Sequence, residues 1–205
     1  MRANGPNNKV EDMFHKYNPN KHHRRSIRLK GYDYTSDGAY FVTICVDKGQ
    51  CVLGDIKDGV VQLTRFGEIT WESWLWLETE YPYVQLDESI VMPNHLHGII
   101  IIGKGLGTGG SRSTGGSRTA PTVKRKPLGR LIGAFKTVST KEINNIRGVD
   151  GVRFWQRNYH EHIIRNERAL NVIRAYIRNN PLNWELDKLH PEAPPNQFNR
   201  IWRDE

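Results

Sequence analysis

The chain has 205 residues, 37% of them apolar, and a formal net charge of +8. That length suits one domain with tails, and no apolar run reaches the roughly 18 residues that a membrane span requires. Two cysteines, Cys45 and Cys51, make neither a disulfide framework nor a zinc-binding Cys pattern, and the polar first 25 residues lack the apolar core of a secretory signal, so the expected location is cytoplasmic.

The charge is unevenly spread. Residues 1–30 hold 8 basic against 2 acidic side chains and residues 103–147 hold 10 against 1, whereas residues 31–102 hold 3 against 11. Two basic segments of this kind favour a polyanionic partner. Neither joins its charges to a strongly apolar face, so nucleic acid is favoured over a membrane surface.

In chain order, residues 1–25 read as a disordered basic arm, too poor in apolar residues to offset the entropy of ordering. The domain is expected over residues 26–190. Gly38–Val46 is a β-branched and aromatic run that reads as a buried strand. Residues 51–62 suggest a hairpin turning at Asp58-Gly59. Phe66, Ile69, Trp74 and Leu77 recur at helical spacing, predicting a helix over 64–79 that Pro82 ends. Strands follow at 83–92 and 95–102, close enough to pair as a hairpin.

Residues 103–126 are rich in Gly, Ser and Arg and repeat the pentamer Thr-Gly-Gly-Ser-Arg at 108–112 and 114–118. This composition predicts a flexible insert. A helix resumes near Pro127, read as its first helical residue, with Leu128, Leu131, Ile132, Phe135 and Val138 on one face. Phe154–Ile164 reads as the last strand. Asn166 then caps a helix that runs to Asn179 and stops at Pro181, and residues 191–205 form a C-terminal tail. The order defines an α+β chain with a ferredoxin-like split βαβ antiparallel sheet, helices on one face and an extra C-terminal helix. Fold alone supplies no function.

Two groups of residues carry chemistry. In Pro93-Asn94-His95-Leu96-His97-Gly98, His95 and His97 lie two apart on a strand and share a face. Paired imidazoles there can hold one divalent metal, although two surface histidines would look the same in sequence. Gly98 leaves room for a ligand or another backbone to approach. Tyr176 and Asn180 stand one helical turn apart. They suit a nucleophile beside a metal-ligating amide, or equally one tyrosine packed on the sheet.

Together with Trp155-Gln156 and the run Tyr159-His160-Glu161-His162, the sets His95-Leu96-His97 and Tyr176-Ile177-Arg178-Asn179-Asn180-Pro181 resemble the single-tyrosine HUH transposases, specifically the REP-associated tyrosine transposases. The resemblance covers about residues 27–189, outside the insert. It implies the ferredoxin-like fold, with His95, His97 and Asn180 as metal ligands and Tyr176 as the nucleophile. Tyr159 is the rival nucleophile but has Ile163, not an amide, four residues on. Tyr159, Glu161 and His162 match the family segment as support of the site or contacts to DNA. The implied cofactor is a divalent metal, Mg²⁺ or Mn²⁺; Mg²⁺ ordinarily prefers all-oxygen sites, so two imidazoles also suit Mn²⁺. The implied reaction cleaves and rejoins single-stranded DNA at palindromic hairpins through a 5′-phosphotyrosine. A single tyrosine permits a homodimer with shared sites or a monomer.

Candidate DNA-binding residues are Arg24, Arg25, Arg28 and Lys30 in the arm, and Lys124, Arg125, Lys126, Arg130 and Lys136 around the second helix. Trp155, Tyr32 and Tyr40 are candidate platforms for unpaired bases. The main alternative is a binding module without catalysis, since the RNA-recognition motif shares this element order and Gly38-Ala-Tyr-Phe-Val echoes its aromatic strand. A zinc hydrolase on His95 and His97 would need a third ligand such as His162.

Overall fold

The computed structural model describes Leu29, residues 31–103 and residues 125–194. Arg24, Arg25, Arg28, Lys30, Lys124, most of the insert and the end of the tail lie outside the described residues. Six strands and three helices follow in order: β1 (Gly38–Cys45), β2 (Gly54–Lys57), β3 (Val60–Leu63), α1 (Arg65–Glu80), β4 (Val84–Met92), β5 (His95–Ile102), α2 (Leu128–Arg147), β6 (His160–Ile164) and α3 (Glu167–Asn179). A 3₁₀ helix, Pro181–Leu186, continues from α3.

The main sheet is antiparallel in the order β4-β5-β1-β6, the expected split βαβ arrangement, and β2 and β3 form a separate hairpin. Positive φ at Asp58 and Gly59 gives that hairpin its tight turn. The Thr64 side chain caps α1 by accepting from the Gly67 amide, and Asn166 caps α3 by accepting from the Ala169 amide. Pro127 occupies the cap position of α2, one place before the first helical residue.

Alternation along the central strands sorts the side chains into two layers. Tyr40, Val42 and Ile44 of β1, with Leu96, Ile100 and Ile102 of β5, pack beneath α1 and α2 around Trp74, Leu131 and Phe135. Ala39, Ile99, Ile101 and Ile164 face the other way, against Leu170 and Ile177 of α3. The tyrosine-bearing helix therefore lies across the sheet from α1 and α2. His95 and His97 share its face, at the end of β5 opposite the apolar contacts.

The last strand is shorter than the sequence suggests. Trp155 makes one isolated bridge to Val46, and regular pairing with β1 begins at Thr43–His160. Five positions separate Trp155 from His160 where only three separate Val46 from Thr43, so two extra residues loop out. The carbonyls freed there accept from the Lys136 ammonium, at 2.7 Å from Gln156 O and 2.9 Å from Asn158 O.

Gly98 also has a reason other than the expected one. A Cβ at this position would lie 2.3 Å from Cζ2 of Trp74. The missing side chain makes room for an indole of the core, on the face away from the histidines.

Candidate active site

β5 is a central strand, flanked by β4 and β1, so its two histidines are walled in by neighbours on both sides. His95 is 0% exposed and His97 2%. Their Nε2 atoms face one another at 3.0 Å. The outer ring nitrogens are held from behind. His95 Nδ1 lies 2.8 Å from Asn94 Oδ1, while Asn94 Nδ2 donates to Leu189 O at 2.7 Å and Gly49 O at 3.1 Å. With both amide protons committed, Asn94 Oδ1 must accept, so Nδ1 of His95 carries the proton and Nε2 presents its lone pair.

His97 Nδ1 lies 2.9 Å from the hydroxyl of Thr43, directly opposite it in the β1–β5 register. A hydroxyl both donates and accepts, so His97 can take either tautomer and can turn a bare Nε2 toward a ligand. Burial pushes the His95 imidazole down to about 3. Burial, and then the neighbouring His95, holds His97 well below the ordinary histidine range. Both rings are thus neutral near pH 7, the form that binds metals.

From the far side, α3 brings in Tyr176 and Asn180. The Tyr176 hydroxyl lies 3.3 Å from His97 Nε2, and its ring stands edge-on to Phe41. Burial raises its pKa, with the charge of Asp187 adding to the effect, while a hydrogen bond with the Asn180 side chain opposes it. Asn180 is 3% exposed, and its Oδ1 has no hydrogen-bond partner. An orphaned buried carbonyl oxygen is costly. Asn180 lines the same cavity as His97.

The 3₁₀ helix after Pro181 then delivers Asp187, whose carboxylate groups with His95 and His97 with all three ligand atoms within 4.8 Å of one another. Sequence reading missed Asp187. It lies outside the His95-Leu96-His97 and Tyr176–Pro181 motifs, and only the tight turn after α3 returns it to the site. These donors suit a divalent metal of the Mg²⁺ or Mn²⁺ class, two nitrogens favouring the softer Mn²⁺. A cavity of about 340 Å³ opens onto His97, Asn180 and Asp187, with Phe41, Thr43, His160 and Tyr176 among its other walls.

The structure brings Tyr176, not Tyr159, to the histidines. Tyr159 lies on the side of Lys136, its ring centroid 5.8 Å from that ammonium. Of the segment that follows, His160 lines the cavity, whereas Glu161 and His162 line a separate hollow with Tyr34 and Arg165. The third group at the pair is accordingly Asp187 and not His162.

Several residues expected to contact DNA are used internally. Lys136 is half-buried on the loop carbonyls already described. Trp155 is 2% exposed and donates to Ser139 Oγ at 2.9 Å, so it serves the core and presents no stacking surface. Tyr40 is buried, and Tyr32 packs edge-on against it. Arg125 pairs with Asp37, and Lys126 sits over the ring of Tyr81. Arg130 is exposed on α2.

This arrangement, an antiparallel four-stranded split βαβ sheet with helices packed on it, matches the fold of a REP-associated tyrosine transposase. A solved REP-associated tyrosine transposase bound to a REP hairpin superposes with a TM-score of 0.50, covering 87% of each chain at 17% identity. The resemblance read from the motifs holds at the level of the fold. In sequence, an uncharacterized protein of Haemophilus influenzae is 40% identical over 188 residues, 87% of this chain and 99% of the relative. The chain belongs to one family with that protein. No protein-family model matches the chain.

Proposed function

We propose that the chain is a metal-assisted single-stranded DNA transposase that cleaves and rejoins DNA at palindromic hairpins through Tyr176. One observation carries the reading. The tyrosine, the neutral His97 imidazole and an orphaned amide oxygen line one cavity from elements far apart in sequence, and His95 lies directly behind His97, Nε2 to Nε2 at 3.0 Å. The solved relative with this fold is a transposase bound to a hairpin, which supports the same substrate class.

His95, His97 and Asn180 would hold the divalent ion, with Asp187 completing the donor set. When bound, the ion polarises the scissile phosphodiester and offsets charge in the transition state. Tyr176 attacks phosphorus through its phenolic oxygen as its O–H bond breaks; the new P–O bond forms, the bond to the 3′ oxygen breaks, and the proton the phenol gives up balances the one the leaving oxygen takes to become a 3′-hydroxyl. The DNA remains joined to Tyr176 through its 5′ phosphate, a linkage that conserves the bond and needs no nucleotide triphosphate for rejoining. Thr43 and Asn94 keep the imidazoles oriented throughout. The exposed cations, Arg130 among them, and the basic arm would track the hairpin backbone, and a cytoplasmic location would suit that partner.

A bare aromatic sheet face, as an RNA-recognition motif requires, is not what the described residues present. α3 and the 3₁₀ helix cover that face, and Tyr40 points into the opposite layer. The deciding experiment incubates the protein with Mn²⁺ and a single-stranded hairpin oligonucleotide of REP type. A DNA adduct that survives denaturation and maps to the Tyr176 peptide supports the reading. Hairpin binding with no adduct overturns it.

No helix among the described residues is long and apolar enough to cross a membrane.

A further inference from the structure

α3 divides its surface into three stripes. Leu170, Ile173 and Ile177 meet the sheet, while Tyr176 reaches His97 and lines the cavity with Asn180. The third stripe, Arg174 and Arg178, meets β4. Only Leu170 and Ile177 are fully buried, so the apolar seam is narrow. Apolar contact is non-directional, and a seam of this width sets the distance of a helix from a sheet better than its rotation or axial register.

The directional contacts lie at β4. Arg174 Nε donates to Asp87 Oδ1 at 2.7 Å, while a terminal nitrogen donates to Oδ2, a two-pronged fork on one carboxylate. One turn on, Arg178 donates to Glu88 Oε2 at 3.1 Å. The Asp87 side chain is 14% exposed and that of Arg174 31%, so this pair is better shielded than an ordinary surface bridge. Arg174 holds the Asp87 carboxyl below its usual range, against the effect of burial.

Asp87 and Glu88 are adjacent, and a regular strand would send them to opposite faces. Pairing of β4 with β5 shifts register between Leu86 and Ser89, and the two acids lie within that irregularity. The bulge lets both reach the same helix, the kind of re-aiming for which bulges serve.

We infer that the β4 bulge sets the register of α3, making Asp87 and Arg174 positioning residues for Tyr176 and Asn180. The inference rests on Tyr176 as the nucleophile. A helix advances 1.5 Å and turns about 100° per residue, so much less than a one-residue slip would carry the hydroxyl away from His97. A misplacement of about 1 Å can cost roughly a hundredfold in rate.

The test uses the full chain, Mn²⁺ alone as one probe and a REP-type hairpin oligonucleotide as the other. Asp87→Asn keeps the size of the side chain and an oxygen for the Glu88 amide, but loses the charge. It is expected to slow adduct formation about tenfold or more at saturating DNA. Because Asn180 rides on α3, it is also expected to weaken Mn²⁺ binding by about threefold to tenfold. Hairpin affinity should stay within about twofold. Arg174→Lys, which keeps the charge without the fork, should fall between Asp87→Asn and the unaltered chain. The exchanged pair Asp87→Arg with Arg174→Asp should recover part of the rate that each single change loses. Unaltered rate and Mn²⁺ affinity in Asp87→Asn would overturn the inference, as would a loss of hairpin affinity as large as the loss of rate. Failure of the unaltered chain to form an adduct would instead sink the nucleophile assignment, and the Mn²⁺ titration would then decide the register alone.

Discussion

The hydroxyl of Tyr176 and Nε2 of His97 lie 3.3 Å apart although 79 positions separate them in sequence. Sheet and helix supply the two ends independently: β5 fixes His97 through its pairing with β1, and α3 fixes Tyr176 from the opposite side. Chemistry that needs both therefore tests the assembled fold and the assignment together.

Tyr176→Phe removes only the hydroxyl and keeps the edge contact with Phe41. Hairpin binding should persist and the denaturation-resistant adduct should vanish. Tyr159→Phe, on the Lys136 side of the sheet, should retain the adduct. Mass spectrometry of the trapped species reads both. The opposite pattern would move the nucleophile to Tyr159 and leave the Tyr176–Asn180 stripe as helix packing.

His95→Ala or His97→Ala should abolish cleavage while hairpin affinity changes by a few-fold at most, because phosphate contacts elsewhere supply most of the binding. Asn180→Ala should weaken Mn²⁺ binding measured by calorimetry, since it removes the orphaned oxygen. Asp187→Asn tests the residue that sequence reading missed, and a loss of Mn²⁺ affinity there would place it among the ligands. Equal loss of hairpin binding and cleavage in the histidine variants would point to a structural pair.

Much of this was legible beforehand because local rules and tertiary structure agree. Period-two and helical spacing located the main elements, Asp58-Gly59 announced the hairpin, and Asn166 announced α3. The histidine pair and the Tyr176–Asn180 pair were readable because strand and helix periodicity fix shared faces. Asp187 was not, since a 3₁₀ turn rather than a periodic element carries it back. The internal partners of Lys136 and Trp155 were not legible for a related reason: charge and aromaticity read as surface chemistry, whereas Lys136 serves the carbonyls of a loop two residues too long for its partner strand and Trp155 donates to Ser139 Oγ. The bulge at Asp87-Glu88 leaves no local mark in an otherwise ordinary strand.

Gly98→Ala tests the reassigned glycine. Trp74 cannot easily yield, because its Nε1 donates to Ser89 Oγ at 3.0 Å and its ring abuts Phe135. Overpacking of this kind costs about 1–3 kcal/mol. The urea midpoint should fall with the slope unchanged. An unaltered midpoint would mean that the core accommodates the methyl group.

Asp87 gives a pH dependence with a definite sign. Its carboxyl is held below the usual range, chiefly by the hydrogen bond from Arg174. A group with a depressed folded-state pKa stabilises above its unfolded value and loses that contribution as pH falls through the folded value. Asp87→Asn should therefore be less stable than the unaltered chain at pH 7, by about 1 kcal/mol for a partly shielded pair. The gap should close as pH drops below about 4. Denaturant titrations at the two pH values measure it, and a gap independent of pH would mean that charge is not what Asp87 contributes.

Lys136 and Arg130 share α2 but not a role, and salt separates them. Arg130 is exposed, so a phosphate contact there would release counterion on binding. Arg130→Gln should reduce the slope of log affinity against log salt by about one. Lys136 is occupied by Gln156 O and Asn158 O, and burial lowers its ammonium to about 8. Lys136→Met should leave the salt slope unchanged and lower stability by about 1–3 kcal/mol, because two carbonyls lose their donor. Hairpin binding measured between about 50 and 200 mM salt, beside urea melts of both variants, gives the comparison. A salt slope that falls with Lys136→Met would return the ammonium to the DNA. The loop from Phe154 to Tyr159 would then need another reason to leave the strand.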